Sequence, residues 1–168
     1  MAEVPADQLG ELASLKSLVY PDPPESYPES AREWSPPQWG VFVRDGPTLV
    51  SYTGVVIREV ALDGREVLVG GIGGVATHPD HRGRGYAPLG MSRALDFMVS
   101  RGVVFALLVC HQELVSYYES LGWKPFGGIT INTQHGRLEV FDFNEVMVGD
   151  VTGAAPALGT IDLLGPAW

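Results

Sequence analysis

A glycine-rich segment followed by an arginine-glycine loop carries the residue types of an anion-binding site. The apolar run that ends at Val75-Ala76-Thr77 is rich in glycine, and Arg82-Gly83-Arg84-Gly85 stands just ahead of a helical pattern that begins at Tyr86. The loop has no acidic side chain after Asp80. Backbone N–H groups and the dipole at a helix N-terminus favour negative charge, and glycine lets a backbone close on a ligand. The ligand that this arrangement fits is a pyrophosphate.

Two common phosphate-binding motifs do not account for this segment. A P-loop requires Lys and then Ser or Thr after its last glycine, whereas Gly85 is followed by Tyr86 and Ala87. The run from Gly71 to Ala76 has the spacing of a Rossmann fingerprint, but that fingerprint must open a helix and Pro79 blocks one there. A plain surface turn with solvated arginines stays an alternative, although such a turn needs neither flanking element.

Periodicity and turn signals predict the elements that position the loop. Leucines at helical spacing predict a helix over residues 6–19, and prolines predict a loop over 20–37. Asp45-Gly46 and Asp63-Gly64 are hairpin signals and predict an antiparallel meander of three strands. The predicted elements are strands over Trp39–Arg44, Pro47–Val56 with Val55–Leu62, and Glu66–Thr77, a helix over Tyr86–Arg101, a buried strand over Val103–Val109, a helix over Gln112–Leu121 and a strand over Leu138–Phe143.

The third meander strand contains Gly70, Gly71, Gly73 and Gly74. Glycine weakens a strand and often marks a place where a ligand approaches the backbone, while a glycine-tolerant edge strand is the alternative. Strand, loop, helix and strand then form a right-handed βαβ unit. The sequence therefore predicts a mixed α/β sheet with the anion site at the carboxyl end of a central strand.

Composition limits the classes of partner that we expect. The 168 residues carry 20 acidic side chains against 11 Lys and Arg, and this balance argues against nucleic acid as the main partner. No apolar stretch reaches the roughly 18 residues of a membrane span, and no N-terminal signal is visible. The single cysteine, Cys110, excludes an intrachain disulfide and a Cys-based metal site. We expect one cytoplasmic domain over 1–168, with a helix and proline-rich loop at 1–37, a core at 38–148 and a docking tail at 149–168.

Two motifs resemble those of the GCN5-related N-acetyltransferases (GNAT). The acyl-CoA signature of that family is Arg or Gln, two residues, Gly, one residue, then Gly or Ala, and Arg82–Ala87 matches it. Tyr118–Trp123 is similar to the family segment Tyr-x-x-x-Gly-Phe, and the order of elements resembles the family fold over roughly residues 39–143. The resemblance implies an α/β (α+β) GNAT fold, in which an antiparallel meander is followed by a βαβ acyl-CoA-binding unit. It also implies acetyl transfer from acetyl-CoA to a primary amine by direct attack on the thioester, without a metal.

The resemblance also implies roles for individual residues. Tyr118 matches a tyrosine whose hydroxyl protonates the departing CoA thiolate, which suits a phenol. His111 stands where relatives often have Asn and is a candidate base, although a polar residue at a strand end is the alternative. The strand end that pairs with the pantetheine arm is matched by Val75, Ala76 and Thr77, and the pyrophosphate loop by Arg82, Gly83, Arg84, Gly85, Tyr86 and Ala87.

A narrower resemblance is to the aminoglycoside 2′-N-acetyltransferases. It comprises Trp34 ahead of the meander, the segment Gly122-Trp123-Lys124-Pro125, and Trp168, whose carboxylate in that family faces the substrate amines. Glu33 matches an acidic substrate contact, whereas the family's glutamate on the fourth strand is replaced by Gly73. The resemblance implies a small-molecule amine as acceptor, with aminoglycoside-like polyamines among the candidates, and a homodimer.

Two other functions remain open at this point. A protein of the same fold that binds acyl-CoA without catalysis, as a sensor or scaffold, is favoured by the missing glutamate at Gly73. An acyltransferase with a non-amine acceptor is the other alternative. Release of CoA with an amine distinguishes an N-acetyltransferase from the non-catalytic sensor or scaffold. A profile of acceptors distinguishes it from the acyltransferase with a non-amine acceptor.

Overall fold

The computed structural model of the protein describes residues 2–3, 8–20 and 32–168. In these residues the chain forms ten strands of one mixed sheet and three α-helices. In chain order the elements are β1 (Ala2–Glu3), α1 (Leu9–Val19), β2 (Trp39–Asp45), β3 (Thr48–Leu62), β4 (Arg65–Thr77), α2 (Tyr86–Ser100), β5 (Phe105–Cys110), α3 (Val115–Ser120), β6 (Lys124–Pro125), β7 (Ile129–Gln134), β8 (Arg137–Val140), β9 (Glu145–Asp150) and β10 (Thr160–Asp162).

Strands β2, β3 and β4 form the predicted antiparallel meander. Its two turns contain Gly46 at φ 59° and Gly64 at φ 77°, a left-handed conformation that glycine adopts without steric cost. The meander ends at Thr77, and a turn of 3₁₀ helix over Pro79–His81 leads into the arginine-glycine loop and then α2. The loop therefore follows the carboxyl end of a central strand, as the sequence predicts.

The β4–β5 pair opens a gap in the sheet. The two strands pair in parallel from Val69 with Phe105 to Ile72 with Leu108. Beyond that pair β4 runs on to Thr77 and β5 to Cys110 without further pairing to each other. Because the strands separate there, the end of β4 keeps its pairing with β3 but borders a cavity on the side of β5.

The helices fix the position of this gap by packing on the strands beside it. Helix α2 buries Met91, Ala94 and Met98 in a cluster that includes Ile72 of β4. Helix α1 buries Leu12 and Leu15 in a cluster with Tyr52 and Ala76. None of the helices within the described ranges is long and apolar enough to cross a membrane.

Some predicted elements differ from the structure. Strands β1, β6, β7, β9 and β10 were not predicted, and the strand expected over Leu138–Phe143 is β8, which ends at Val140 ahead of the buried Phe141. The helix expected over Gln112–Leu121 is a 3₁₀ turn followed by the shorter α3. Helix α1 starts at Leu9, while the rest of its predicted N-terminal part, and residues 21–31 of the proline-rich loop, lie outside the described residues.

Two of the β4 glycines make room for side chains of the protein itself. A Cβ on Gly70 would collide with Sδ of Met98, and a Cβ on Gly71 would collide with the indole of Trp168. Strand β4 lies between β3 and β5, so the edge-strand alternative is wrong. Gly73 and Gly74 both line the gap, but only Gly74 keeps close approach of a ligand as its interpretation, because a Cβ on Gly73 would lie 2.9 Å from the main-chain carbonyl carbon of Trp168.

We expect Gly71→Ala to lower the free energy of unfolding by about 1–3 kcal/mol, the usual cost of overpacking a core. Trp168 is held in place because its Nε1–H donates to the carbonyl of Leu107 at 3.2 Å and the guanidinium of Arg58 lies 4.7 Å from the ring. Urea denaturation measures the change. Gly10→Ala is the matched control, since a Cβ there meets no described atom within 4 Å and alanine favours the helix. Unfolding midpoints for Gly71→Ala at or above the wild type would contradict this packing.

Candidate active site

Two cavities meet at the end of the β4–β5 pair. The gap cavity has a volume of about 590 Å³ and lies between the diverging ends of β4 and β5. The loop cavity has a volume of about 530 Å³ and lies against the arginine-glycine loop and the start of α2. Val75, Leu114 and Tyr118 line both cavities. A long ligand in the loop cavity can therefore reach a second ligand in the gap cavity at these three residues.

The loop cavity has the features of a diphosphate site. Gly83 at φ 73° and Gly85 at φ 79° give the loop a left-handed backbone that side chains disfavour. Gly85 is also the N-cap of α2, whose first turn has no acidic residue. The unpaired N–H groups and the dipole of that helix end favour an anion. Residues of the sequence-predicted set that line this cavity are Val75, Thr77, Arg82, Gly83, Gly85, Tyr86 and Ala87.

Two of the residues that the sequence predicts to bind the cofactor, Ala76 and Arg84, do not line the loop cavity. Ala76 is fully buried under α1 and its carbonyl accepts a hydrogen bond from the hydroxyl of Ser51 at 2.9 Å, so this residue does not line the loop cavity. The guanidinium of Arg84 lies 3.9 Å from a carboxylate oxygen of Asp45. The sequence indicated Asp45 only as a turn residue, yet its carboxylate also accepts a hydrogen bond from the hydroxyl of Tyr86 at 3.0 Å. Asp45 thus ties the loop to the β2–β3 turn.

Tyr118 is placed where the two cavities meet. Its side chain is buried, and among the described residues its hydroxyl has no hydrogen-bond partner. Burial raises the pKa of Tyr118, with smaller contributions from Tyr20, Cys110 and Tyr117. The phenol therefore keeps its proton through the neutral range and can donate it to a ligand.

The end of β4 is contacted by a residue that the sequence did not indicate. The hydroxyl of Tyr20, just after α1, donates a hydrogen bond to the carbonyl of Val75 at 2.5 Å. Helical spacing places Leu12, Lys16 and Tyr20 on one side of α1. This spacing is the feature of the sequence that could have indicated Tyr20. The contact anchors the C-terminal end of α1 to the strand end that both cavities share.

The two residues expected to bind the acceptor have different surroundings. Glu33 does not line the gap cavity, and its carboxylate accepts a hydrogen bond from the backbone N–H of His135 at 2.7 Å. Trp168 lines the gap cavity, with its indole buried under β4. Its main-chain carbonyl carbon lies 2.9 Å from the place a Cβ on Gly73 would occupy. The glycine at that position is therefore required by the main chain of Trp168.

A comparison with protein families identifies this arrangement. The model of the acetyltransferase (GNAT) domain matches residues 2–126 of the chain. The protein belongs to the GNAT family. The family model describes an acetyltransferase domain, with which the diphosphate features of the loop cavity agree. No curated protein sequence matches the chain.

Solved structures share the GNAT fold at low sequence identity. The ribosomal-protein-S18-alanine N-acetyltransferase from Escherichia coli is 16% identical with a TM-score of 0.61, over 92% of this chain and 94% of that one. A GCN5-related N-acetyltransferase from Kribbella flavida is 21% identical with a TM-score of 0.59, over 76% of this chain and 33% of that one. The present chain thus spans about a third of the Kribbella flavida protein. At these identities the likeness shows the fold alone.

One further GNAT structure was solved in complex with CoA. This N-acetyltransferase from Escherichia coli is 16% identical to the present chain, with a TM-score of 0.51, over 72% of this chain and 65% of that one. The comparison confirms that a GNAT fold like this one binds CoA in another protein. It does not name an acceptor for the present chain.

Proposed function

We propose that the protein transfers the acetyl group of acetyl-CoA to a primary amine of a small molecule. The observation that carries this proposal is the meeting of the two cavities at Val75, Leu114 and Tyr118. A cofactor bound along the loop cavity would present its thioester at this meeting point, and an amine in the gap cavity would approach it from the other side. Proximity of this kind supplies much of the rate of a two-substrate reaction.

The residues of the loop cavity fit acetyl-CoA. The N–H groups at Gly83, Gly85 and the start of α2 would hold the diphosphate, and Arg82 adds positive charge. Beyond its last pair with β5, the backbone of β4 at Val75 and Thr77 would hold the pantetheine arm, through groups other than the Val75 carbonyl, which accepts from Tyr20. Bound acetyl-CoA supplies the activated acetyl group as a thioester.

The chemistry is direct transfer without a covalent enzyme intermediate. The nitrogen lone pair of the amine attacks the thioester carbonyl carbon, and a backbone N–H near Val75 stabilises the negative charge that develops on the oxygen. The carbon–sulfur bond then breaks, and Tyr118 donates its proton to the leaving sulfur. His111, which lines the gap cavity, takes the proton that the amine nitrogen loses. The products are the acetylated amine and CoA with a free thiol.

Cys110 gives a test of direct transfer. It lines the gap cavity, but burial, with help from the carboxylates of Glu145 and Glu113, raises its pKa to about 11. A neutral thiol is a poor nucleophile. We therefore expect Cys110→Ser to keep kcat within about threefold of the wild type, measured by thiol release from acetyl-CoA. A loss of several orders of magnitude, or an acetylated Cys110 in the intact-mass spectrum, would indicate a covalent intermediate.

An aminoglycoside-like polyamine is a second candidate acceptor. Trp34 and Trp168 both line the gap cavity, which supports the narrower resemblance seen in the sequence. A main-chain oxygen of Trp168 beside Gly73 would accept a hydrogen bond from an acceptor amine. The carboxylate of Glu33 gives no such support, because Glu33 does not line the gap cavity and one of its oxygens accepts from the backbone of His135.

The proposed function is tested by thiol release from acetyl-CoA with aminoglycosides, polyamines, amino acids and simple amines, beside a blank without amine. We expect release above the blank with at least one amine, and a mass gain of one acetyl group on that amine. Binding of acetyl-CoA without release for any amine would favour the sensor alternative. Simple alcohols are added as further acceptors, and release only with an alcohol would favour the non-amine alternative.

A further inference from the structure

One charged side chain in the gap cavity has no part in the chemistry described above. Lys16 lies in the last turn of α1, and its Nζ is 5.3 Å from the ring centroid of Tyr52. The same Nζ is 3.5 Å from the place a Cβ on Gly74 would occupy. Gly74 directly precedes Val75, so the ammonium group lies beside the strand end where the acetyl group would be transferred.

Lys16 has no anionic partner in the described part of the chain. It forms no ion pair there, and none of the described residues that line the gap cavity is Asp or Glu. Burial lowers the pKa of Lys16, the direction expected for a cation that has lost hydration. A partly buried charge without an anionic partner is costly. An anion that entered the cavity would therefore gain interaction energy with Lys16, whereas a polycation would be repelled.

The rest of the gap cavity is mainly apolar. Its lining includes the rings of Trp34, Tyr20 and Tyr118, together with Pro36, Pro37 and Leu114. These residues suit an aliphatic or aromatic group more than a chain of hydroxyls and amines. The cavity thus combines one cation, next to the transfer position, with an apolar wall.

Resting on the proposed function, we infer that the acceptor is an amino acid with an apolar side chain, whose carboxylate binds Lys16. In an α-amino acid a single carbon joins the amine and the carboxylate. Because Gly74 and Val75 are adjacent, a carboxylate held at Lys16 places the amine near the thioester carbon. The apolar side chain then lies against Trp34 and the two prolines.

The test compares each amino acid with its own primary amide. Phenylalanine, methionine and alanine and their amides are used as acceptors, and kcat/KM is measured by thiol release. We expect the wild type to prefer at least one amino acid over its amide by about tenfold, as a charged hydrogen bond allows. In Lys16→Met the preference should fall to within about twofold, with kcat/KM for the amides and the Kd of acetyl-CoA unchanged.

Two further variants separate charge from folding. Lys16→Arg keeps the cation and should retain most of the preference. Lys124→Met is the matched control, since Lys124 is exposed, pairs with Asp150 at 3.3 Å and lines neither cavity; it should behave as the wild type. Unfolding midpoints of all three variants show whether each one folds.

Each contrary outcome has a distinct meaning. Amides acetylated as well as the amino acids by the wild type would overturn the inference and leave the proposed function intact. An equal loss of kcat/KM for acids and amides in Lys16→Met would mean that Lys16 acts on the reacting atoms, which also overturns it. If no amine of any kind is acetylated, the proposed function fails and the inference fails with it.

Discussion

Replacement of Tyr118 by phenylalanine should lower kcat by about 100-fold while the Kd of acetyl-CoA stays within about twofold of the wild type. The variant removes one hydroxyl from the point where the two cavities meet and leaves the buried ring in place. Without that hydroxyl the leaving thiolate must take its proton from water. Stopped-flow or steady-state thiol release gives kcat, and calorimetry with acetyl-CoA gives Kd. An unchanged kcat would remove Tyr118 from the mechanism.

The raised pKa of Tyr118 adds a pH dependence to this prediction. Because burial raises the pKa, the phenol stays protonated at pH values where an exposed tyrosine begins to ionise. A higher pKa also makes the phenol a weaker acid, but the same desolvation raises the basicity of the departing thiolate. We therefore expect the ratio of wild-type to Tyr118→Phe rates to stay constant from pH about 7 to about 10. A ratio that collapses toward one as pH rises through this range would mean that Tyr118 ionises there.

Gly85→Val should weaken acetyl-CoA binding by about tenfold or more. Gly85 has φ 79°, which a β-branched residue adopts only under strain, and no described atom lies within 4 Å of an added Cβ. That free space is where the diphosphate would approach the N-terminus of α2. The valine side chain would fill it and also distort the N-cap, so both contacts with the anion would be lost.

Gly64→Val is the matched control for this variant. Gly64 has φ 77° in the β3–β4 turn, and a Cβ there likewise meets no described atom within 4 Å. Both variants should lose a similar stability of about 1–2 kcal/mol from backbone strain. Only Gly85→Val should lose acetyl-CoA affinity. Equal affinity in the two variants, at matched stability, would show that the arginine-glycine loop is not the diphosphate site.

The position of the arginine-glycine loop in the fold could be predicted from the sequence because its information is local. The signature from Arg82 to Ala87 sits between a strand and a helix that follow directly along the chain. Hairpin signals at Asp45-Gly46 and Asp63-Gly64 likewise fixed the meander. Each of these features depends on backbone conformations that neighbouring residues determine.

The acceptor side could be predicted only in part because distant segments build it: the family resemblance indicated Trp168 and His111, whereas nothing in the sequence indicated Lys16. Lys16 of α1, His111 after β5 and Trp168 meet there only through tertiary packing. The position of Glu33 in the sequence matches a substrate contact of the resembled family. In the structure its carboxylate accepts a hydrogen bond from the backbone N–H of His135. Gly71 was interpreted as a ligand contact, yet the indole of Trp168 explains it.

Strand β7 was not predicted for a different reason. In β7 the buried positions are Thr130, Asn132 and Gln134, whereas Ile129 is exposed. A pattern of alternating hydrophobicity therefore indicates the wrong face of this strand. Its pairing with β8 and β10 depends on tertiary context that no short window contains.

A crystal structure of the protein with acetyl-CoA or CoA would show where the cofactor binds. We expect the diphosphate at the N–H groups of Gly83, Gly85 and the start of α2, and the sulfur between Val75 and Tyr118. The remaining space beside the acetyl group should be the gap cavity lined by Lys16. A cofactor bound with its diphosphate elsewhere, or with its sulfur remote from Tyr118, would contradict the account.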